Sequence, residues 1–88
     1  VEIKEILAER QTTYGDYADV AHRSQAIKSA LRGSKNWSKL VSCQRETLEM
    51  VANKLARILE GDPMHRDGWI DAAGYLQLVV NYIDESEG

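Results

Sequence analysis

Apolar residues recur along this chain at spacings of three and four, the period of a helix that buries one face. Four segments carry the pattern. The first, roughly Glu2 to Arg10, puts Ile3, Ile6, Leu7 and Arg10 on one side and is broken by Gln11 to Gly15. A helix that short persists only when docked. The second, Asp16 to Arg32, carries a stripe of Tyr17, Val20, Ala21, Ser24, Ile27 and Leu31. Asp16 is its candidate N-cap, Asp19 lies near the positive end, and Gly33 suits the position just past the last turn. A polar loop, Ser34 to Leu40, holds Trp37. The third segment, Ser42 to Glu60, has Ser42 as candidate N-cap and Leu48, Val51, Ala52, Leu55, Ile58 and Leu59 as its stripe. Gly61 ends it, and Asp62-Pro63 reads as a turn. The fourth, Asp67 to Asp84, carries Trp69, Ala72, Ala73, Leu76, Val79, Val80 and Ile83. Its alternative start, with Asp62 as cap and Pro63 at the first helical position, is disfavoured by Gly68. Glu85 to Gly88 is expected to fray.

This organisation predicts an all-α fold: one domain over residues 1–88, with four helices. The third and fourth form a long antiparallel hairpin because the connection between them is short. The chain has 88 residues, and a chain of that length buries only roughly 60–65% of the surface it exposes when unfolded. Its single cysteine allows neither an internal disulfide nor a cysteine zinc site. Oligomerisation is the remaining common route to stability, so a homo-oligomer is expected. A net charge of −3 argues against binding to a nucleic-acid polymer. No apolar run approaches the roughly 18 residues of a membrane span, and the charged start Val1-Glu2-Ile3-Lys4-Glu5 is unlike a signal peptide. The expected setting is a reducing cytoplasm.

The polar faces of the last two segments differ. Along the third, Glu46, Glu49, Asn53, Arg57 and Glu60 share a face, which reads either as a solvated face with local pairs such as Arg45 with Glu49, or as a site. The back of the fourth holds Asp67, Asp71, Gly74 and Leu78, flanked by Tyr75 and Tyr82. No Lys, Arg or Glu occurs between Asp67 and Asp84. A helix without ordinary solvent-facing residues is expected to be covered on both sides, by a subunit or by a ligand. Gly74, which costs about 1 kcal/mol against Ala within a helix, fits such a close approach.

Glu46, Glu49, Asp67 and Asp71 together would form an oxygen-rich set suited to Mg²⁺, which several carboxylates need as counter-charge at one site. Such an ion clamps nucleotide phosphates. Lys54 and Arg57 would neutralise phosphate charge, and Tyr14, Tyr17 or Trp37 would stack on a base. Each residue also has a plainer role. Asp67 suits a helix N-cap, and Asp71 favours the first turn through the helix dipole. His22 and His65 suit solvent, and Gly15 suits a turn. Cys43 has no positioned base. In a simple hairpin Asp67 lies nearer Glu60 than Glu46, so uniting the acids takes a bend or a second subunit. Neither a GxGxxG nor a Walker-type loop occurs.

Several strings carry a resemblance when taken together. They are Ile6-Leu7-Ala8-Glu9-Arg10 with Tyr14-Gly15-Asp16; Gln44-Arg45-Glu46-Thr47-Leu48-Glu49-Met50; Lys54-Leu55-Ala56-Arg57-Ile58-Leu59 with Gly61-Asp62-Pro63; and Asp67-Gly68-Trp69-Ile70-Asp71-Ala72-Ala73-Gly74-Tyr75. Over nearly the whole chain they resemble a family of small proteins of tailed bacteriophages and prophages. That resemblance implies a phage origin and a bacterial host cytoplasm. A second resemblance is to the all-α nucleotide pyrophosphohydrolases of the MazG-like superfamily, which hold Mg²⁺ with ExxE on one helix and ExxD on another, often between subunits. Glu46-Thr47-Leu48-Glu49 matches the first motif. Asp71 matches the aspartate of the second, but Gly68 stands where its glutamate belongs, and Asp67 is one residue early. Three functions follow as expectations: a Mg²⁺-dependent processor of nucleotides, a metal-independent binder of a host signalling nucleotide, and an interaction module for a host protein.

Overall fold

The computed structural model describes residues 2–87. Four α-helices follow one another: α1 (Ile3–Tyr14), α2 (Tyr17–Arg32), α3 (Ser42–Glu60) and α4 (Arg66–Glu87), with a single 3-10 turn at Trp37–Lys39 before α3. No strand occurs among the described residues. The expected all-α class is what forms.

Helix α3 is the centre of the fold, packed by α2 on one side and α4 on the other. Ile58 of α3 lies against Gly68 of α4, and Lys54, one turn earlier, pairs with Asp71, one turn later. That descending register is an antiparallel hairpin. The buried residues are small: Ala52 and Ala56 of α3, Ala72 of α4, Ser24 of α2, with Thr47 and Ile58. Small side chains let helix axes approach, but they bury little apolar area each. No large side chain is fully buried among the described residues.

Several boundaries differ from the sequence reading. Helix α1 does not stop at Arg10 but continues through Gln11–Tyr14. Thr12 and Thr13 are weak helix formers, yet tertiary contact outweighs propensity here. Asp16 occupies the N-cap position of α2 without a side-chain cap bond; its Oδ1 instead accepts from Gln11 Nε2 at 3.5 Å. Gly33 is right-handed, with φ −84°. Ser42 is the first residue of α3 rather than its cap. Val41 precedes it, and its N–H donates to Gln44 Oε1 at 3.0 Å. Asp67 lies inside the first turn of α4, which starts at Arg66. Glu85–Glu87 are helical; Gly88 lies outside the described residues.

Two turns lock the bundle. Gly15 ends α1 with φ +90°, a conformation costly for any residue with a Cβ. Gly61 ends α3 on the facing side. The Asp62 N–H donates to Thr13 O at 2.8 Å, tying one turn to the other. A Cβ on Gly15 would stand 2.6 Å from Glu60 O, and one on Gly61 2.5 Å from Thr13 O and from the Tyr14 carbonyl carbon. Both clashes are with backbone, which cannot rotate away. The Asp62-Pro63 turn forms as expected: Asp62 Oδ1 accepts from Met64 N–H at 2.9 Å, and Asp62 O from His65 N–H at 3.1 Å.

Gly61→Ala is therefore expected to destabilise by about 2 kcal/mol or more through overpacking against backbone. Gly33→Ala, at an ordinary helical φ, should be neutral or stabilise by about 0.5 kcal/mol. Gly74→Ala meets no atom within 4 Å in this chain and should stabilise by up to about 1 kcal/mol. Urea denaturation of the three variants checks all of these.

Candidate functional site

The glycine lock places Tyr14 at the meeting point of α1 and α3. The Arg10 guanidinium, one turn back along α1, lies 5.3 Å from the centre of its ring. The Arg57 guanidinium, from α3, lies 5.2 Å away. The His65 ring meets Tyr14 edge-on at 5.5 Å. Cations gather at this ring because its π-face carries partial negative charge.

Beside Tyr14 a cleft of about 500 Å³ opens between α1, α2 and α3. Arg10 and Tyr14 form one wall; Tyr17, Val20, Ser24 and Lys28 of α2 form another; Asn53 and Arg57 of α3 close it. Inside, the buried Ser24 Oγ donates to Asn53 Oδ1 at 2.7 Å, a bond that fixes the amide and leaves its N–H₂ free of that contact. Three cationic residues, Arg10, Lys28 and Arg57, line the cleft against one carboxylate, Asp16. Among the described residues, none of these three cations has a carboxylate within ion-pair distance.

Other cations are paired. Arg23 meets Glu60 at 3.2 Å, and Arg32 Nε meets Glu49 at 3.0 Å, both across the α2–α3 seam. Lys54 meets Asp71 at 3.2 Å. The expected Arg45–Glu49 pair does not form; Arg45 instead donates to Trp37 O and Ser38 O, each at 3.1 Å. Such part-exposed pairs are worth at most about 1 kcal/mol each.

A second pocket, of about 30 Å³ and so large enough for one water, shares Tyr14 and Arg57 with the cleft. Lys54, His65, Asp62, Asp67 and Asp71 also line it. His65 Nε2 is buried without a hydrogen-bond partner and stands 3.8 Å from Asp67 Oδ2.

The predicted site residues thus divide. Asp67, Asp71, Lys54 and Arg57 come together at the smaller pocket, and Tyr14, Tyr17 and Arg57 at the larger cleft. Glu46 lines neither, and Glu49 is turned to Arg32. Trp37 lies apart, under the Arg45 guanidinium at 5.9 Å. Among the described residues no three His, Cys, Asp or Glu side chains stand where they would hold one metal ion. The chemistry of the donor set gives the reason. Asp71 and Glu49 already face cations, and the ExxD glutamate position is Gly68, whose missing Cβ would come 3.3 Å from Ile58 Cγ1. Gly68 serves the close approach of α4 to α3. The residues of a single chain do not fit a Mg²⁺ site of that kind.

The sequence reading gives no site role to Arg10, Ser24 or Lys28, and places Asn53 on the polar face of α3 without assigning it one. Arg10 and Tyr14 are spaced i, i+4, a same-face signal that an unbroken α1 would have revealed. Ser24 within an apolar stripe was a further signal, since a buried hydroxyl needs a partner.

Ser24→Ala is expected to cost about 1 kcal/mol, the usual net worth of such a bond, whereas Glu46→Gln, at an exposed position, should stay within about 0.5 kcal/mol of the parent. Thermal melts of the two variants check the contrast.

Among the described residues, no helix is long and apolar enough to cross a membrane. Neither the curated proteins nor the solved structures gave a match to this chain. A family model described as a domain of unknown function (DUF6378) matches residues 2–82, and the chain belongs to that family.

Proposed function

We propose that this protein binds a nucleotide or a nucleotide-like phosphate ligand in the α1–α2–α3 cleft, without a metal ion. The observation that carries this reading is the set of three cations, Arg10, Lys28 and Arg57, that converge on the cleft with no carboxylate partner. Unpaired guanidinium and ammonium groups facing one concavity favour an anion, and Arg forks suit phosphate. The volume lies in the usual range for small-molecule sites. Tyr17, 84% exposed at the mouth, offers an uncovered ring for a base. Asn53, held by Ser24, offers a fixed amide for sugar or base edges.

The resemblance to small tailed-phage proteins supports reading the ligand as a host nucleotide, sequestered rather than cleaved. The MazG-like resemblance supports the nucleotide class. The distribution of the acids gives the pyrophosphohydrolase chemistry no support within one chain, so the binding reading is preferred.

Thermal melting against linear and cyclic nucleotides, each with and without Mg²⁺, tests this. A ligand at 100 times its Kd adds about 2.7 kcal/mol, a rise of about 10 °C or more for a domain of this size. The expected result is a shift that Mg²⁺ does not change, that Arg57→Gln reduces and that Glu46→Gln leaves intact. A shift that requires Mg²⁺ and is lost with Glu46→Gln would overturn the reading in favour of a metal-dependent enzyme. No shift with any nucleotide would overturn it in favour of an interaction module.

A further inference from the structure

The chain exposes 6495 Å². A folded monomer of 9.9 kDa is expected to expose about 5200 Å². The excess is about 1300 Å². The radius of gyration, 15.2 Å, exceeds the roughly 12 Å of a compact domain of this length. The excess therefore reflects an elongated shape, 49 × 26 × 22 Å, that leaves a side of the molecule uncovered.

The helix geometry locates part of that side. Stepping about 100° per residue around α3, Ile58 meets α4 and Asn53 meets α2. Two faces of α3 remain. One carries Arg57, which lines the cleft. The other carries Leu48, Leu55 and Leu59. On α4, Ala72 turns inward, and Asp71 marks the edge of the seam beside the smaller pocket through its bond with Lys54. The opposite edge of α4 carries Trp69, Leu76, Val80 and Ile83, adjoining the leucine face of α3. This surface is open: Leu59 is 62% exposed, Trp69 54%, Val80 48% and Leu76 45%. Trp69 is held in place there by its indole N–H, which donates to Pro63 O at 2.8 Å.

We infer that this α3–α4 face is where a second copy of the chain docks, the two hairpins forming one intermolecular four-helix bundle. Three observations select that occupant. The exposed excess exceeds the roughly 800 Å² per partner that a stable interface buries. The stripe runs along both helices of one hairpin, the shape that an identical hairpin related by a two-fold axis complements. The stripe, taken from Leu48 to Leu59 on α3 and from Trp69 to Ile83 on α4, contains no charged residue, so two like copies meet there without repulsion. Joining them would supply the large buried side chains that the single chain lacks.

Light scattering after size exclusion, at about 50 µM protein, tests this, with circular dichroism to show that each variant is helical. The parent is expected at about twice the chain mass of 9.9 kDa. Leu59→Glu should run at the chain mass. Leu78→Glu, on the Asp71 edge of α4, should remain paired. If Leu59→Glu does not fold, Val80→Gln should still show a weakened dimer, as a higher concentration for half-dissociation. A monomeric parent would overturn the inference, as would an oligomer that survives Leu59→Glu. Dissociation by Leu78→Glu in place of Leu59→Glu would equally overturn it, by putting the interface on the opposite edge of α4.

Discussion

The close approach of two turns organises this molecule. Gly15 and Gly61 bring the ends of α1 and α3 within backbone contact, and the Asp62 N–H closes the junction on Thr13 O. Both pockets are built around that point. Tyr14 precedes one glycine and Arg57 lies one turn before the other, so the junction holds ring and guanidinium together. His65, at the far end of the Asp62 turn, reaches the same ring. Without the two glycines α1 would have almost nothing to hold it, because it buries no residue of its own.

The rest of the architecture follows from small side chains. Ala52, Ala56 and Ala72 allow α2, α3 and α4 to pack closely, and Gly68 lets α4 sit on Ile58. Close packing of small residues is geometrically tight but energetically thin, since stabilisation scales with apolar area removed from water. The large apolar side chains, Leu59, Trp69, Leu76 and Val80, are instead on the outside.

The cleft and the acids occupy neighbouring but distinct places. Arg57 and Tyr14 line both pockets and so join a cationic cavity to a small acidic one. Lys54 pairs with Asp71 there, whereas the cations of the cleft have no carboxylate partner among the described residues. This asymmetry, rather than any single residue, distinguishes the two cavities.

The hydrophobic period by itself determined the class, the number of helices and the antiparallel α3–α4 hairpin, because each is a local property or follows from a short connection. It also marked Tyr14, Tyr17, Lys54 and Arg57, residues that do line the pockets. It misjudged the end of α1, since Thr12 and Thr13 are held helical by a contact with a turn nearly fifty residues away, beyond the reach of local pattern. It grouped Glu46 and Glu49 with Asp67 and Asp71 by motif, while the structure turns Glu49 to Arg32 and Asp71 to Lys54. The partner of a charge depends on the angle at which helices cross, and no spacing along one helix encodes that angle. The uncovered stripe on α3 and α4 was legible as apolar. Only the tertiary structure decided that its largest residues stay outside, because burial depends on which neighbours the chain can bring to each face.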